Sequence, residues 1–508
     1  MDPMENIQQR SNVPLEVREL WVGNDFFLGS TQITGETRLA FNTRCEEGNS
    51  VARRKGIVDW GGVGGAGAVY ASMVLEQDTN PDMFLRLVDG GGAGVQLQKY
   101  NPTNDDWDDI GGNIGGADDR RDWSWTNVFI GGENRVYFTN GVSNLHYTDG
   151  TVIAEVDGVK GRYITAKGNV LIIGCMTETH QPNEYLWSMG GTHQFFSTDP
   201  DVDYVNTDQK YAVKGVITGL ETFNWLTYIF TESDGLYEVD IEGSQIPRLI
   251  STHGTMAPKS IAVGADSMIW ADQYGVWQLP TNGDVMKISK SVDKMFKCIT
   301  GSNFFQLTGG INTDEQYELH LGDLEFEGVL YDKVILLYEI EQSRFYGRNI
   351  WRIDMDKFHA NNIVTWANAF GFLTTFYGAR DSQSTYQTNY GHEDNGDPIA
   401  MVWQTKDFVL AGDKDEITIE DVYIRYEPLG SGDINIKVHA RMDTGAWVQI
   451  KDQELPNSPK SHNTIRIQGA MGLTGRAFAL RISSTGNLPT KFREVLVTYS
   501  YNKSERRL

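Results

Sequence analysis

The run Gly62-x-Gly64-x-x-Gly67 has the spacing of a dinucleotide-binding fingerprint, in which a strand, a glycine turn and a helix N-terminus hold a pyrophosphate. It follows a strand-like segment at 57–60. Residues 68–75, however, read as another strand where the fingerprint needs a helix, so the glycines form a flexible connection and no cofactor is assigned. Asp199-x-Asp201-x-Asp203 and the run Asp105, Asp106, Asp108, Asp109 supply hard oxygen ligands suited to calcium. The first lacks the glycine and distal glutamate of an EF-hand loop and the second reads as a solvated acidic loop, so no metal ligand is assigned. Hydrolysis needs a paired acid and base or an activated nucleophile. The chain has no G-x-S-x-G and no H-E-x-x-H, and Ser233, Asp234 and Gly235 have the wrong spacing for a sialidase Asp-box. Its nine histidines are scattered. Cys45, Cys175 and Cys298 lie far apart with no C-x-x-C spacing, which fits small buried hydrophobes better than disulfides or zinc ligands. No catalytic residue is assigned, and the chain is expected not to be an enzyme. One basic spot, Arg53, Arg54 and Lys55, stands out in an acidic chain; it either meets a carboxylate on a neighbouring subunit or ends a solvated hairpin.

The elements that would position these residues are strands. The stretch 252–280 opens on Gly254 and Pro258. Strands are predicted at 260–263, 268–271 and 276–279, with a tight turn at Asp272–Gly275 and large flat faces at Trp270 and Trp277. Those are three of the four antiparallel strands of a propeller blade. The same order of aromatic strand and glycine turn recurs at 135–150 and at 228–241, with a further unit at 169–174 and 184–190. The turn glycines Gly141, Gly235 and Gly275 are separated by whole multiples of a blade-length unit of about 40–50 residues. Six or seven blades therefore fit between about 68 and 405; the sixth takes 316–320, 334–338 and 345–346, and the seventh takes 372–377 with 400–403. After the charged connector at 412–416, strands with period-two alternation at 417–426, 434–439, 447–450, 464–467, 477–482 and 492–499 predict two stacked antiparallel sheets. The expected organisation is all-β: an N-terminal arm over 1–35, a β-propeller over 36–410 and a C-terminal β-sandwich with a short basic tail over 411–508.

Composition agrees with a turn-dense β protein: 54 glycines against 14 prolines, with 11% aromatic residues. The formal net charge of −24 argues against sequence-reading or tight nucleic-acid binding, which depends on Lys and Arg neutralising phosphates, and is compatible with a conduit along which DNA slides without sticking. No apolar run approaches the ~20 residues that cross a bilayer. The N-terminal residues lack the apolar core of a secretion signal, so the chain is expected to fold in a cytoplasm. Residues 1–25 are polar with no sustained period and read as an extended arm, a loosely packed lead-in or a disordered terminus.

With the blades laid out, the chain resembles the β-propeller tail proteins of tailed bacteriophages, the nozzle or tail-hub group that includes the packaged-DNA stabilisation proteins of short-tailed phages. Three places carry the resemblance over about 35–350: Asn42 with Gly48, Arg53, Arg54, Lys55 and Gly56; Asn169 to Gly174 leading to Tyr185, Trp187, Ser188, Phe195 and Phe196; and Gly254 to Ile261 followed by Ile269, Trp270, Gly275, Trp277 and a helix-like segment at 288–296. It implies a ring of subunits, six in number, below the portal and its adaptor in the virion tail, with the arm at 1–25 clasping a neighbour and ordered only in the assembly. Such a ring extends the DNA channel, retains packaged DNA and offers attachment to fibres, spikes, a needle or a plug. Two alternatives come from other classes: a carbohydrate-binding or carbohydrate-cleaving propeller using exposed Trp and Tyr on a loop face, and a receptor-binding protein of tail-fibre type.

Overall fold

The computed structural model describes residues 13–17, 37–46, 50–62, 66–77, 81–91, 94–115, 123–177, 181–188, 190–193, 210–241, 246–299, 301–326, 328–346, 349–355, 358–367, 372–391, 393–410, 416–428, 434–443, 445–455, 463–468, 472–486 and 490–502. Two compact units emerge. One comprises 57–349 and 356–389, the other 1–56, 350–355 and 390–508.

The first unit is a seven-bladed propeller. Blade 1 consists of Val69–Leu75, Met83–Asp89, Val95–Asn101 and Asp106–Ile114; blade 2 of Ser124–Ile130, Glu133–Thr139, Leu145–Thr148 and Ile153–Val156. Blade 3 follows with Gly161–Lys167, Val170–Met176, Glu184–Trp187 and Lys210–Ala212, and blade 4 with Ile217–Phe223, Leu226–Thr231, Leu236–Val239 and Arg248–Ser251. Blade 5 is built on the stretch around Trp270: Ala262–Val263, Ser267–Asp272, Gly275–Pro280 and Met286–Lys287. Blade 6 contributes Thr308–Ile311, Gln316–Phe326 and Val329–Glu339 to this unit, and its predicted segment at 345–346 lies in the helix Ile340–Tyr346.

Consecutive blades share apolar cores because each sheet is apolar on both faces. Leu85 and Leu97 of blade 1 pack with Val136 and Phe138 of blade 2. Likewise Ile172 and Tyr185 of blade 3 pack with Leu220 and Ile229 of blade 4, and Phe230 of blade 4 with Trp270 of blade 5.

Blade 7 shows how the ring closes. Its strands Ala360–Ala367, Leu373–Ala379 and Thr385–Gln387 are completed by Val58–Trp60, far away in sequence, which pairs antiparallel with Thr385–Gln387. The predicted fourth strand, around Trp403, is instead Met401–Thr405 of the second unit. Trp60 anchors the closure: its ring stacks on Tyr100 of blade 1 at 3.7 Å and lies 4.6 Å from Phe376 of blade 7. Beside it the buried Arg86 of blade 1 donates to the Gln383 carbonyl at 2.8 Å and to Thr385 Oγ1 at 3.1 Å, with its guanidinium 3.8 Å over Trp107.

The second unit is a β-sandwich. One sheet has the order Thr43–Glu46, Ser50–Arg53, Thr490–Asn502, Glu416–Pro428, Asn463–Gln468; in this unit the other runs Trp351–Met355, Thr37–Phe41, Met401–Thr405, Ala477–Gly486, Ile434–Met442, Val448–Leu455. Alternate residues Ile417, Ile419, Val422 and Ile424 of the first sheet pack against Ile434, Ile436, Val438, Leu480 and Ile482 of the second. The six C-terminal strands form where alternation predicts them. Strands at 37–53 and 401–409, placed by sequence within 36–410, belong to this unit. Val13–Val17, expected to be ordered only against a neighbour, pairs with Val495–Tyr499 of its own chain. The propeller is thus spliced into the sandwich: the chain leaves the sandwich after Gly56, revisits it at 350–355 and returns at Tyr390.

A single arginine holds these chain crossings together within the sandwich unit. Arg54 makes a two-pronged contact with Asp394, Nη1 to Oδ1 at 2.9 Å and Nη2 to Oδ2 at 2.5 Å. Its remaining donors reach Asn42 Oδ1 at 3.2 Å and the carbonyls of Lys55 and Met355 at 2.9 Å. Asn42, at φ 53°, also accepts from Met355 N at 2.7 Å and donates to the Ala400 carbonyl at 2.8 Å. Gly56 is required here because a Cβ would stand 1.9 Å from the Glu393 carbonyl oxygen. The two arginines of the basic cluster are therefore neither a solvated hairpin end nor a contact awaiting a neighbour, whereas Lys55 is exposed. Arg54 is paired within the chain, and Arg53, 1% exposed, donates to the Gly486 carbonyl and to Ser484.

Candidate functional site at the propeller axis

The first strand of each blade lies innermost, and side chains tie neighbours together around the axis. Ser124 Oγ of blade 2 accepts from Ile164 N of blade 3 at 3.1 Å, and Thr165 of blade 3 donates to Thr222 of blade 4 at 3.1 Å. Between blades 4 and 5 the contact is apolar and close, since a Cβ on Gly219 would meet Ile261 at 2.5 Å. Tyr317 of blade 6 donates to the Ser260 carbonyl at 2.8 Å, and Asn361 and Asn362 of blade 7 both donate to the Val69 carbonyl at the start of blade 1, at 2.8 and 2.9 Å.

These strands surround a cavity of about 180 Å³ to which all seven blades contribute. Its wall mixes aromatic rings, Tyr70, Trp123, Trp125 and Tyr163, with Glu221, Lys259 and the two asparagines. Lys259 Nζ donates to Asn361 Oδ1 at 2.7 Å. Glu221 accepts from Thr222 N at 3.0 Å, and burial against the blade walls pushes its carboxyl up to about 7, against the lowering effect of the Thr222 and Thr165 hydrogen bonds. Behind the lining, sealed in the blade walls, Trp123 Nε1 and Asn362 Oδ1 are buried with no hydrogen-bond partner. The pocket gathers Glu221, Lys259 and two asparagines among aromatic rings, and its perturbed carboxyl makes it the candidate binding site of this unit.

A second perturbed carboxylate serves packing. Glu318 of blade 6 accepts from Asn312 at 2.5 Å and from the Tyr377 hydroxyl of blade 7. Burial alone would raise this carboxyl; the neighbouring His320 imidazole at 4.0 Å and these two donors outweigh burial and hold it below the usual carboxylate range. Its oxygens are spent inside the wall.

The candidates from sequence scatter. Gly62 and Gly67 take positive φ, 82° and 131°, and lead into a strand as expected; Gly64 lies outside the described residues. Asp199, Asp201 and Asp203 also lie outside them. Asp105 accepts from Tyr100 at 2.7 Å, Asp108 from Asn101 at 2.8 Å and Asp109 from Gln98 at 2.9 Å. Asp106 and Asp109 also face Arg86: burial lowers that guanidinium to about 9, and the two carboxylates partly offset the effect. Among the described residues no three His, Cys, Asp or Glu side chains come together as a metal site. Asp234 closes a surface turn, bonded to Ser233 at 3.1 Å and paired with Lys214 at 2.9 Å. Cys175 is buried and Cys298 exposed, both as free thiols. The axial cavity left no mark in the sequence, because each blade gives it only one to three residues some 40 positions apart.

No known family's sequence profile matches the chain, and no curated protein matches it. Among solved structures it is similar to the C-terminal WD40 domain of Sif2, at 12% identity and TM-score 0.35 over 73% of this chain and 98% of that one. It is also similar to the WD40 β-propeller domain of Doa1, at 9% identity and TM-score 0.37 over 64% and 99%, and to BamB from Moraxella catarrhalis, at 11% and 0.32 over 63% and 99%. The chain's own antiparallel blades and its sandwich make it an all-β propeller protein.

Proposed function

We propose that the chain is a structural protein of a tailed-bacteriophage virion, assembled in the host cytoplasm. Six copies form a ring, a nozzle or hub below the portal and adaptor, that extends the DNA channel, retains packaged DNA and carries fibres, spikes, a needle or a plug. The observation that carries this reading is the splice. A propeller connected to its companion sandwich through several chain crossings, with the crossings locked by Arg54, Asn42 and Gly56, suits a part that transmits load. Asn42, Arg54 and Gly56 are among the residues that carry the resemblance to tail nozzles.

Two further features support it. Hairpins between first and second strands all project from one face of a propeller. On that face Trp225 of blade 4 is 76% exposed, and Phe372 and Leu373 of blade 7 are also exposed, an apolar set suited to a neighbouring component. The charge of −24 keeps a DNA backbone from adhering to the wall.

The test is the mass of the full-length chain by native mass spectrometry and sedimentation at neutral pH. The expected species is a closed ring of six times 57.0 kDa, formed by heterologous contacts that close on rotation. A trimer would favour the tail-fibre alternative; a monomer at every concentration that cleaves polysaccharide would overturn the proposal.

A further inference from the structure

We propose that the lysine stripe between blades 5 and 6, at Lys290, Lys294 and Lys297, docks on the acidic loop face of a second copy of this chain. This contact rests on the ring reading and joins one subunit to the next. Steps of four and three residues put the lysines on one side of the helical turns Lys290–Val292 and Asp293–Phe296, while Val292, Met295, Phe296 and Ile299 are buried behind them. All three lysines are exposed. The one acid of these turns, Asp293, points inward, where it accepts from Lys287 at 2.6 Å and Ser289 at 2.8 Å. Among the described residues no carboxylate pairs with Lys290, Lys294 or Lys297, in a chain whose net charge is −24.

The topology puts the matching charge on the opposite face. In a four-stranded antiparallel blade the first-to-second and third-to-fourth connections leave by one face, and the second-to-third and blade-to-blade connections by the other. The lysines lie in a blade-to-blade connection. Asp284 of blade 5, Asp314 and Glu315 of blade 6 and Glu76 of blade 1 lie in connections of the first kind, so three of these four belong to the same two blades as the stripe. All four are exposed and none pairs with a lysine or arginine. Acids also occur on the lysine face, Asp157, Glu232 and Asp381 on blades 2, 4 and 7 and Asp323, Glu325 and Asp332 on the long hairpin of blade 6, but none reaches the stripe.

Opposite signs on opposite faces let each copy meet the next head to tail, a heterologous contact that closes on rotation. Apolar side chains are exposed on both faces, Tyr274 and Phe305 with the lysines and Trp225 and Phe372 with the acids, which suits a protein partner. A DNA backbone offers phosphates without apolar surface and would approach against the charge of the whole chain.

The experiment compares the full chain with two charge-reversed variants by native mass spectrometry and sedimentation. One carries Lys290→Glu, Lys294→Glu and Lys297→Glu; the other carries Asp284→Lys, Asp314→Lys and Glu315→Lys. Each alone is expected to lose the ring, its dissociation constant raised about a hundredfold. Mixed in equal amounts they should restore it with the two variants alternating, because each altered face then meets its complement. Raising NaCl from about 50 to about 500 mM should weaken the parent ring about tenfold. The neutral variant Lys290→Gln, Lys294→Gln, Lys297→Gln should weaken it about tenfold too, and keeps the test informative if a reversed variant fails to fold. Rings formed by either reversed variant alone, or folded variants that do not reassemble on mixing, would overturn the docking and leave the ring standing. A parent chain that never self-associates would overturn both. An unchanged ring mass in the lysine variant, with loss of binding to a random-sequence DNA duplex, would assign the stripe to DNA instead.

Discussion

Replacing Trp60 by alanine is expected to open the propeller at one seam, at a cost of about 3 kcal/mol, the lower end of the range for truncating a large aromatic because this ring is half-buried. The reason is topological. Six blades are built from successive strands, whereas blade 7 depends on Val58–Trp60 pairing with Thr385–Gln387. That pairing is short, and what secures it is the aromatic set at the seam: Trp60 against Tyr100 at 3.7 Å, Phe376 at 4.6 Å, Phe84 at 5.4 Å and Trp366 at 5.6 Å. Hydrogen exchange read by mass spectrometry should show protection lost in blade 7 and in the outer strands of blade 1, with blades 3 and 4 little changed. Trp60→Phe, which keeps a ring, should retain most of the protection. Exchange in blade 7 equal to the parent protein would mean that the backbone pairing alone closes the wheel.

Arg54→Ala is expected to destabilise the sandwich unit by about 3–5 kcal/mol, because it leaves Asp394 buried with no counter-charge. Lysine cannot replace the fork that meets both Asp394 oxygens while also reaching Asn42 and two carbonyls, so Arg54→Lys should recover only part of the loss. The double replacement Arg54→Met with Asp394→Leu removes both charges and should be much milder than Arg54→Ala, which separates an unpaired charge from a general packing defect. Calorimetry of the full chain, with exchange in Thr37–Phe41 and Met401–Thr405 as the local readout, decides it. If Arg54→Ala unfolds like the parent, the crossings are held by strand pairing and the clasp is incidental.

How far the sequence could be read depended on how local each interaction is. Turn glycines such as Gly235 and Gly275 and the apolar strands flanking them announce single blades, because a hairpin is specified by residues a few positions apart. Alternation at 417–426 and 477–482 announces the sandwich for the same reason. The closing strand at Val58–Trp60 carries no such signal, since its partner lies beyond 320 positions of intervening chain, and Ala400–Trp403 reads as a plausible substitute. The same holds for Arg54, whose carboxylate is 340 positions away, so a basic cluster looks solvated until the pairing is seen. Acidic runs mislead in the opposite direction: Asp106 and Asp109 look like cation ligands, and the cation they face is a guanidinium of their own blade.

The most direct test of the account is an image of the tail of a phage particle carrying this chain, reconstructed far enough to place the propeller and count its copies. Six or twelve wheels in a ring around the DNA channel below the portal and adaptor is the predicted result. A chain located only at the fibre tips in threefold copies, or absent from the particle, would contradict it.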